Sequence, residues 1–291
     1  MINEQIVQQE IDQLQSLIVL VEAYETIAGT SVRRIRGSVL ANREFHVGLN
    51  RIFREVTSAY RKEVEHIMEK KEIKIEGSGF SLIKRTKKTV LMLLSANTGL
   101  YGDVINRIFM AFIKEKRRTQ CDVIIVGRIG KMFFEEVMPG SPFTYFDFPD
   151  NAIAIENLKQ ISMFVAQYEK VVAFYGIFKN LLTQQVRASV VSGVELPTEK
   201  SEEKSFQLYF FEPSLEEVAL FFENEIFASL LEQIFQESRL AKLAARMVLL
   251  DHATVNIEEK LKRVNLEKQR TRHRAINRQL IGSLSGVALW S

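Results

Sequence analysis

Through the first sixty residues a seam of positions recurs at alternating three- and four-residue steps. It runs Ile11, Leu14, Ile18, Val21, Glu25, Ala28, Val32, Ile35, Val39, Asn42, His46, Leu49, Phe53, Val56 and Tyr60. These steps hold one face of a helix, and a sustained 3-4 register predicts a left-handed supercoil with a partner helix. Glu25, Asn42 and His46 are the polar misfits in an otherwise apolar seam. Gly29, Gly37 and Gly48 interrupt it, each at a cost of about 1 kcal/mol against alanine. They mark either a bend or a close approach by a neighbour, and the pattern leaves both readings open.

The other end of the chain carries a matching pattern. Ser214 with Glu217 three residues on forms a capping box that opens a helix directly after Pro213. Its first part is expected to bury Leu215, Val218, Phe222, Ile226, Leu230 and Ile234. A 3-4 seam follows through Leu240, Leu243, Met247, Leu250, Thr254, Ile257, Leu261 and Val264, then turns polar at Lys268 and Thr271. It recovers at Ala275, with Ile276, Leu280 and Leu284 alongside. From Ser214 to Gly282 neither proline nor glycine intervenes, and all five prolines lie between the two helical patterns. Proline costs a helix interior about 3 kcal/mol, so its absence at both ends is what long helices require.

The middle reads differently. Residues 89–94 and 123–126 are continuous apolar runs of strand length, and residues 143–148, 171–175 and 188–194 are expected as further strands. An amphipathic helix through Ile105, Phe109 and Phe112 follows the turn at residues 95–102. Alternating strands and helices at this spacing predict a small α/β layer with a parallel core, Rossmann-like in type. Residues 198–205 form a charged loop.

A helix of roughly 70 residues is about 105 Å long, against a diameter of about 50 Å for a compact chain of 291 residues. Such a helix is expected to outreach its own domain. The fold class predicted is therefore mixed α and β: a long antiparallel two-helix coiled coil made by both termini, plus a small α/β globular domain. The expected division is an N-terminal coiled-coil helix over 1–70, the globular domain over 71–212 and a C-terminal coiled-coil helix over 213–291.

Composition narrows the class. Lys plus Arg less Asp plus Glu is 39 − 36 = +3, so no strong overall field is expected. The single cysteine, Cys121, excludes an intrachain disulfide and a Cys-rich metal site. The polar, acidic residues 3–12 argue against a secretory signal, and no run reaches the roughly 18 apolar residues of a membrane span. A cytosolic or membrane-peripheral protein is expected.

Candidate chemistry is sparse. The turn at residues 95–102 lies between a strand and a helix, where phosphates often bind. It lacks the Gly-Lys-Ser/Thr ending of a P-loop and the spacing of a dinucleotide fingerprint, so a tight structural turn is the preferred reading. His46, His66, His252 and His273 all fall on expected helices without a metal-ligand spacing. No catalytic residue, cofactor site or metal site is expected. Two basic clusters stand out: Arg33, Arg34, Arg36 and Arg43 near the first seam, and Lys260 to Arg278 along the second. A solvated face, a nucleic-acid surface and a shaft touching acidic loops of a surrounding partner are the three readings. The basic residues encircle the helix without interleaved aromatics, which disfavours nucleic acid.

At this point the chain resembles the gamma subunit of F-type ATP synthases over nearly its whole length. Ala28-Gly29-Thr30-Ser31-Val32-Arg33-Arg34 is similar to that family's Ala-Ala-Ser-Lys-Met-Arg-Arg stretch. Leu94-Ser95 with Gly99-Leu100-Tyr101-Gly102 resembles its Ser-Asp-Arg-Gly-Leu-Cys-Gly turn. Tyr209-Phe210-Phe211-Glu212-Pro213 resembles its Tyr-Leu-Tyr-Glu-Pro lead into the final helix. Ala245-Arg246-Met247 with Ala253-Thr254 matches its Ala-Arg-Met and Ala-Thr run, and Arg272-His273 falls at its Arg-Gln pair. Residues 282–289 resemble its small-residue C-terminal tip. Ala96-Asn97, Tyr101, His273 and Val32 depart from the pattern, as expected of a divergent member.

The resemblance implies a central rotor shaft without an active site or cofactor of its own. Such a shaft couples ATP synthesis or hydrolysis in a hexamer of catalytic and non-catalytic subunits to rotation and ion transport. Further implied partners are an epsilon-type small subunit and a membrane ring of ion-carrying subunits, with the complex peripheral on the cytoplasmic face of a membrane. Arg33, Arg34, Arg272 and His273 would meet a catalytic subunit. Tyr209, Phe211 and Glu212 would lie near the ring, and Gly282, Gly286 and Leu289 would turn in an apolar bearing. The alternative is a coiled-coil scaffold or nucleic-acid-binding protein with an α/β head.

Overall fold

The computed structural model describes residues 4–59, 79–80, 86–191, 194–195, 212 and 214–288. Two helices dominate it: α1 (Glu4–Ala59) and a C-terminal helix (Leu215–Ala288). Ser214 Oγ accepts the backbone N–H of Glu217 at 3.2 Å, so the expected cap starts the second helix. Between them lie β1 (Gly79–Phe80), β2 (Thr86–Leu94), α2 (Val104–Lys116), β3 (Asp122–Val126), α3 (Arg128–Val137), β4 (Thr144–Phe146), α4 (Ile155–Val165), β5 (Tyr168–Phe178), β6 (Gln184–Val190) and β7 (Val194–Glu195). The C-terminal helix is α5. The described residues form two compact units, one of Ser31–Ala245 and one of Met1–Thr30 with Arg246–Ser291.

In the larger unit five strands make one sheet in the order β4-β3-β2-β5-β6. The pairs β4–β3, β3–β2 and β2–β5 are parallel, and β6 joins β5 antiparallel. The parallel core matches the runs read from sequence. The fifth strand does not: it spans Gln184–Val190 rather than 188–194, because Val172 to Phe178 pair with it from Val190 back to Gln184. Val194–Glu195 instead pairs with Gly79–Phe80 in a separate two-stranded ladder.

Both faces of the sheet are covered, which is why its central strands are apolar on both sides. Leu91, Leu93, Ile125 and Phe174 pack against Ile108, Phe109 and Phe112 of α2 and Phe134 of α3. Met92, Leu94, Ile124 and Ala173 pack on Ile161 and Val165 of α4 and on Phe227, Leu231, Ile234 and Phe235 of α5. Leu231 is wholly buried, and the Phe235 ring lies 4.6 Å from that of Phe148. Burial of such a side chain contributes about 1.5–3 kcal/mol, so this stripe is a principal anchor of α5 on the sheet. The opposite stripe of α5 takes the N-terminal helix: Val32, Ile35 and Val39 of α1 pack on Leu240 and Leu243. From Ile234 to Ala245 every residue of α5 but Arg239 is buried.

In the smaller unit the pairing is antiparallel. Val7, Ile11 and Leu14 of α1 cluster with Val264, Leu261 and Ile257 of α5. Gly29 does not bring a neighbour unusually close: a Cβ built there would sit 3.8 Å from Met247, an ordinary contact. Around Gly37 and Gly48 none of the described residues comes within 4 Å of a Cβ position. Close approach by the described residues therefore does not explain them.

Candidate partner-facing site

Toward its C-terminal end α5 turns from buried to exposed. Among the seam positions whose burial is described, Val264 is the last that is buried; Lys268 and Thr271 are half-buried, and residues 272–282 are all exposed. The preceding turns are tied to α1 by polar contacts. Lys260 Nζ lies 2.9 Å from Glu10 Oε1, and Lys268 Nζ donates to Gln8 Oε1. The polar stretch of the seam is thus held to α1 by polar rather than apolar contacts. Beyond it Arg272, His273 and Arg274 stand in solvent, followed by exposed Ile276, Leu280 and Ile281. Cationic residues followed by an apolar tip suit an acidic contact below and an apolar enclosure above.

The residues singled out from sequence fall as follows. Arg272 and His273 are exposed on α5 in the smaller unit. Arg33 and Arg34 are exposed on α1 in the larger unit. Burial, reinforced by the nearby charge of Arg34, holds the Arg239 guanidinium of α5 below its ordinary value. Gly282 is exposed within α5, and none of the described residues comes within 4 Å of a Cβ built there. Gly286 is within α5, while Leu289 lies outside the described residues, as do Tyr209 and Phe211. Glu212 is exposed before the cap of α5. His66 and the expected boundary at residue 70 also lie outside the described residues.

The three polar misfits of the first seam have distinct surroundings. Asn42 Nδ2 donates to Glu232 Oε1 at 3.1 Å, and His46 Nδ1 lies 3.0 Å from Ser229 Oγ. Beside them Arg43 Nε donates to Glu237 Oε1 at 2.6 Å. These contacts form a polar layer between α1 and α5 that can assemble only in one axial register, the use of polar seam residues best attested in coiled coils. Glu25 is half-buried.

The turn after β2 is closed by the chain itself. Asp150, on the loop between β4 and α4, accepts the backbone N–H groups of Asn97 and Thr98 and the Thr98 hydroxyl, each at 2.9 Å. Lys242 Nζ of α5 lies 3.2 Å from the other Asp150 oxygen and donates to Ser95 O at 2.9 Å. The place where an α/β sheet commonly receives a phosphate is filled by a carboxylate. Gly127 lets the next strand end approach this turn: it has φ +100, and a Cβ there would fall 2.8 Å from Ala96 N. No local motif announces Asp150, which stands 52 residues beyond Thr98. The second stripe of α5, through Phe227, Leu231 and Phe235, was visible as 4-residue spacing but was masked by the seam beside it.

Residues 3–288 match a family model described as ATP synthase. An ATP synthase gamma chain from Desulforudis audaxviator is 25% identical over 290 residues, with 92% of each chain covered. Among solved structures, a chain of the Tetrahymena thermophila mitochondrial ATP synthase central stalk and c-ring has a TM-score of 0.53 at 18% identity, covering 80% of this chain and 99% of that one. A chain of the Euglena gracilis mitochondrial ATP synthase, in an assembly of OSCP, F1 and c-ring, has a TM-score of 0.52 at 13% identity, covering 89% and 94%. At these identities the structural matches show likeness of fold.

Proposed function

The chain belongs to the family of ATP synthase gamma chains, and from that premise we propose that it is the central rotor shaft of an F-type or F-like ATP synthase or ATPase. It couples ATP synthesis or hydrolysis in a surrounding catalytic hexamer to rotation and ion transport. The observation that carries the reading is the exposed, basic end of α5, capped by exposed apolar residues. In this reading Arg272 and His273 meet an acidic loop of a catalytic subunit, with Arg33 and Arg34 as further hexamer contacts. Gly282, Gly286 and Leu289 turn in an apolar bearing, where small side chains reduce steric cost.

The chain holds no active site of its own; the chemistry belongs to the hexamer, and this subunit transmits torque. By role it divides into a helix over 1–70, a globular foot over 71–212 and a helix over 213–291. Tyr209, Phe211 and Glu212 lie near a membrane ring, and an epsilon-type subunit binds the foot. The c-ring assemblies that hold the two similar solved chains support such a ring. No helix among the described residues is long and apolar enough to cross a membrane, and a peripheral position on the cytoplasmic face is proposed. The family match favours this shaft over a scaffold or nucleic-acid-binding protein.

Affinity purification of the tagged chain from source membranes tests the reading. An ATPase hexamer is expected to co-purify; recovery of the chain without one overturns it.

A further inference from the structure

We infer that the turn after β2 is an oxyanion cradle whose resident ligand is the chain's own Asp150, and that a chain lacking this carboxylate takes a small oxyanion, such as formate or acetate, in its place. Four donors converge on one carboxylate: two consecutive backbone N–H groups, the Thr98 hydroxyl and the Lys242 ammonium. Successive N–H groups that point into one concavity form an anion-binding nest. The nest sits at the C-terminal end of β2, whose neighbours β3 and β5 leave in opposite directions along the sheet. In open α/β sheets that reversal is where anionic ligands are received.

The cradle is built rather than incidental. Asp150 is 8% exposed and Lys242 9%. Asn97 Nδ2 donates to Phe148 O at 3.1 Å, which ties the loop carrying Asp150 to the turn it fills. A cavity of about 20 Å³ adjoins the carboxylate, lined among others by Phe148, Phe235, Ser238, Arg239 and Lys242. The Ser238 hydroxyl is buried there without a hydrogen-bond partner. About 10–15 Å³ suffices for one water, so a second oxygen-bearing group has room beside Asp150. Burial pushes the Asp150 carboxyl up, but Lys242 and the two Thr98 hydrogen bonds outweigh it and hold it below its ordinary value. Asp150 is therefore an anion at neutral pH, as a resident ligand of this cradle must be.

Chemical rescue of the full-length Asp150→Ala chain tests the inference. Truncation takes the Asp150 carboxylate away from the buried Lys242 ammonium, and the melting temperature is expected to fall by about 10 °C. Formate or acetate should recover a substantial part of that loss along a saturating curve, while chloride at equal ionic strength does not, and the wild type should respond to neither. Adding Lys242→Met to Asp150→Ala should abolish the recovery. If Asp150→Ala does not fold in chloride, refolding yield in formate against chloride gives the same readout. A variant that responds to all anions alike, or to none, overturns the inference.

Discussion

His46 Nδ1 of α1 lies 3.0 Å from Ser229 Oγ of α5, and its other ring nitrogen lies 2.9 Å from Asn50 Nδ2. An amide nitrogen can only donate, so Nε2 accepts and Nδ1–H donates to Ser229, which in turn donates to Ile226 O. The network thus requires neutral imidazole, and burial also lowers the His46 pKa. A value depressed on folding gives stability that is complete above the unfolded value of about 6.5 and is lost as pH falls through the folded value. Denaturant midpoints at pH 7.5 and 5.0 should therefore differ more for the wild type than for His46→Gln. Equal differences would remove His46 as a source of acid sensitivity.

The neighbouring Arg43–Glu237 pair is lopsided: the Arg43 side chain is 39% exposed and that of Glu237 2%. Arg43→Met leaves a buried, unpaired carboxylate and should cost about 2–3 kcal/mol, below the full range for a buried pair because Arg43 is partly solvated. Arg43→Met with Glu237→Leu should recover most of that loss. A double-mutant cycle by urea denaturation measures the coupling, and additive losses would contradict the pairing.

Two glycines should behave oppositely. Gly29→Ala adds a methyl at ordinary contact distance from Met247 and should stabilise the chain by about 0.5–1 kcal/mol through helix propensity. Gly127→Ala forces a side chain at φ +100 against Ala96 backbone and should cost at least about 2 kcal/mol. Thermal melts of the two variants decide both.

These contrasts show what was legible in the sequence. The two long helices and the parallel strands follow from short-range spacing, because 3-4 steps and unbroken apolar runs fix element type locally. Asn42 and His46 showed as misfits, but their partners Glu232 and Ser229 are 190 and 183 residues away, and only the antiparallel register brings them together. The end strand slipped because residues 184–190 pair on the sheet edge with a half-exposed, mixed pattern. Of the site, the exposed end of α5 was readable where the seam turned polar at Lys268 and Thr271. The Asp150–Lys242 closure was not, since a loop carboxylate leaves no periodic trace.

Arg272→Ala with His273→Ala removes two exposed side chains from an exposed stretch of helix. The isolated chain should keep its stability within about 0.5 kcal/mol. ATPase activity coupled to ion transport should fall about tenfold, as expected for loss of one charged contact in a rate-determining step. Assembly with the hexamer, followed by size exclusion, should persist. Unchanged coupling would move the catalytic-subunit contact to other residues.

Rotation itself is the most direct test. Cys121 is the only cysteine and is half-buried in the α/β head, so a thiol-linked probe there reports on the head alone. With the hexamer anchored to a surface and ATP supplied, the probe is predicted to turn in one direction in discrete steps. A hexamer that hydrolyses ATP around this chain while the probe stays still would contradict the rotor account.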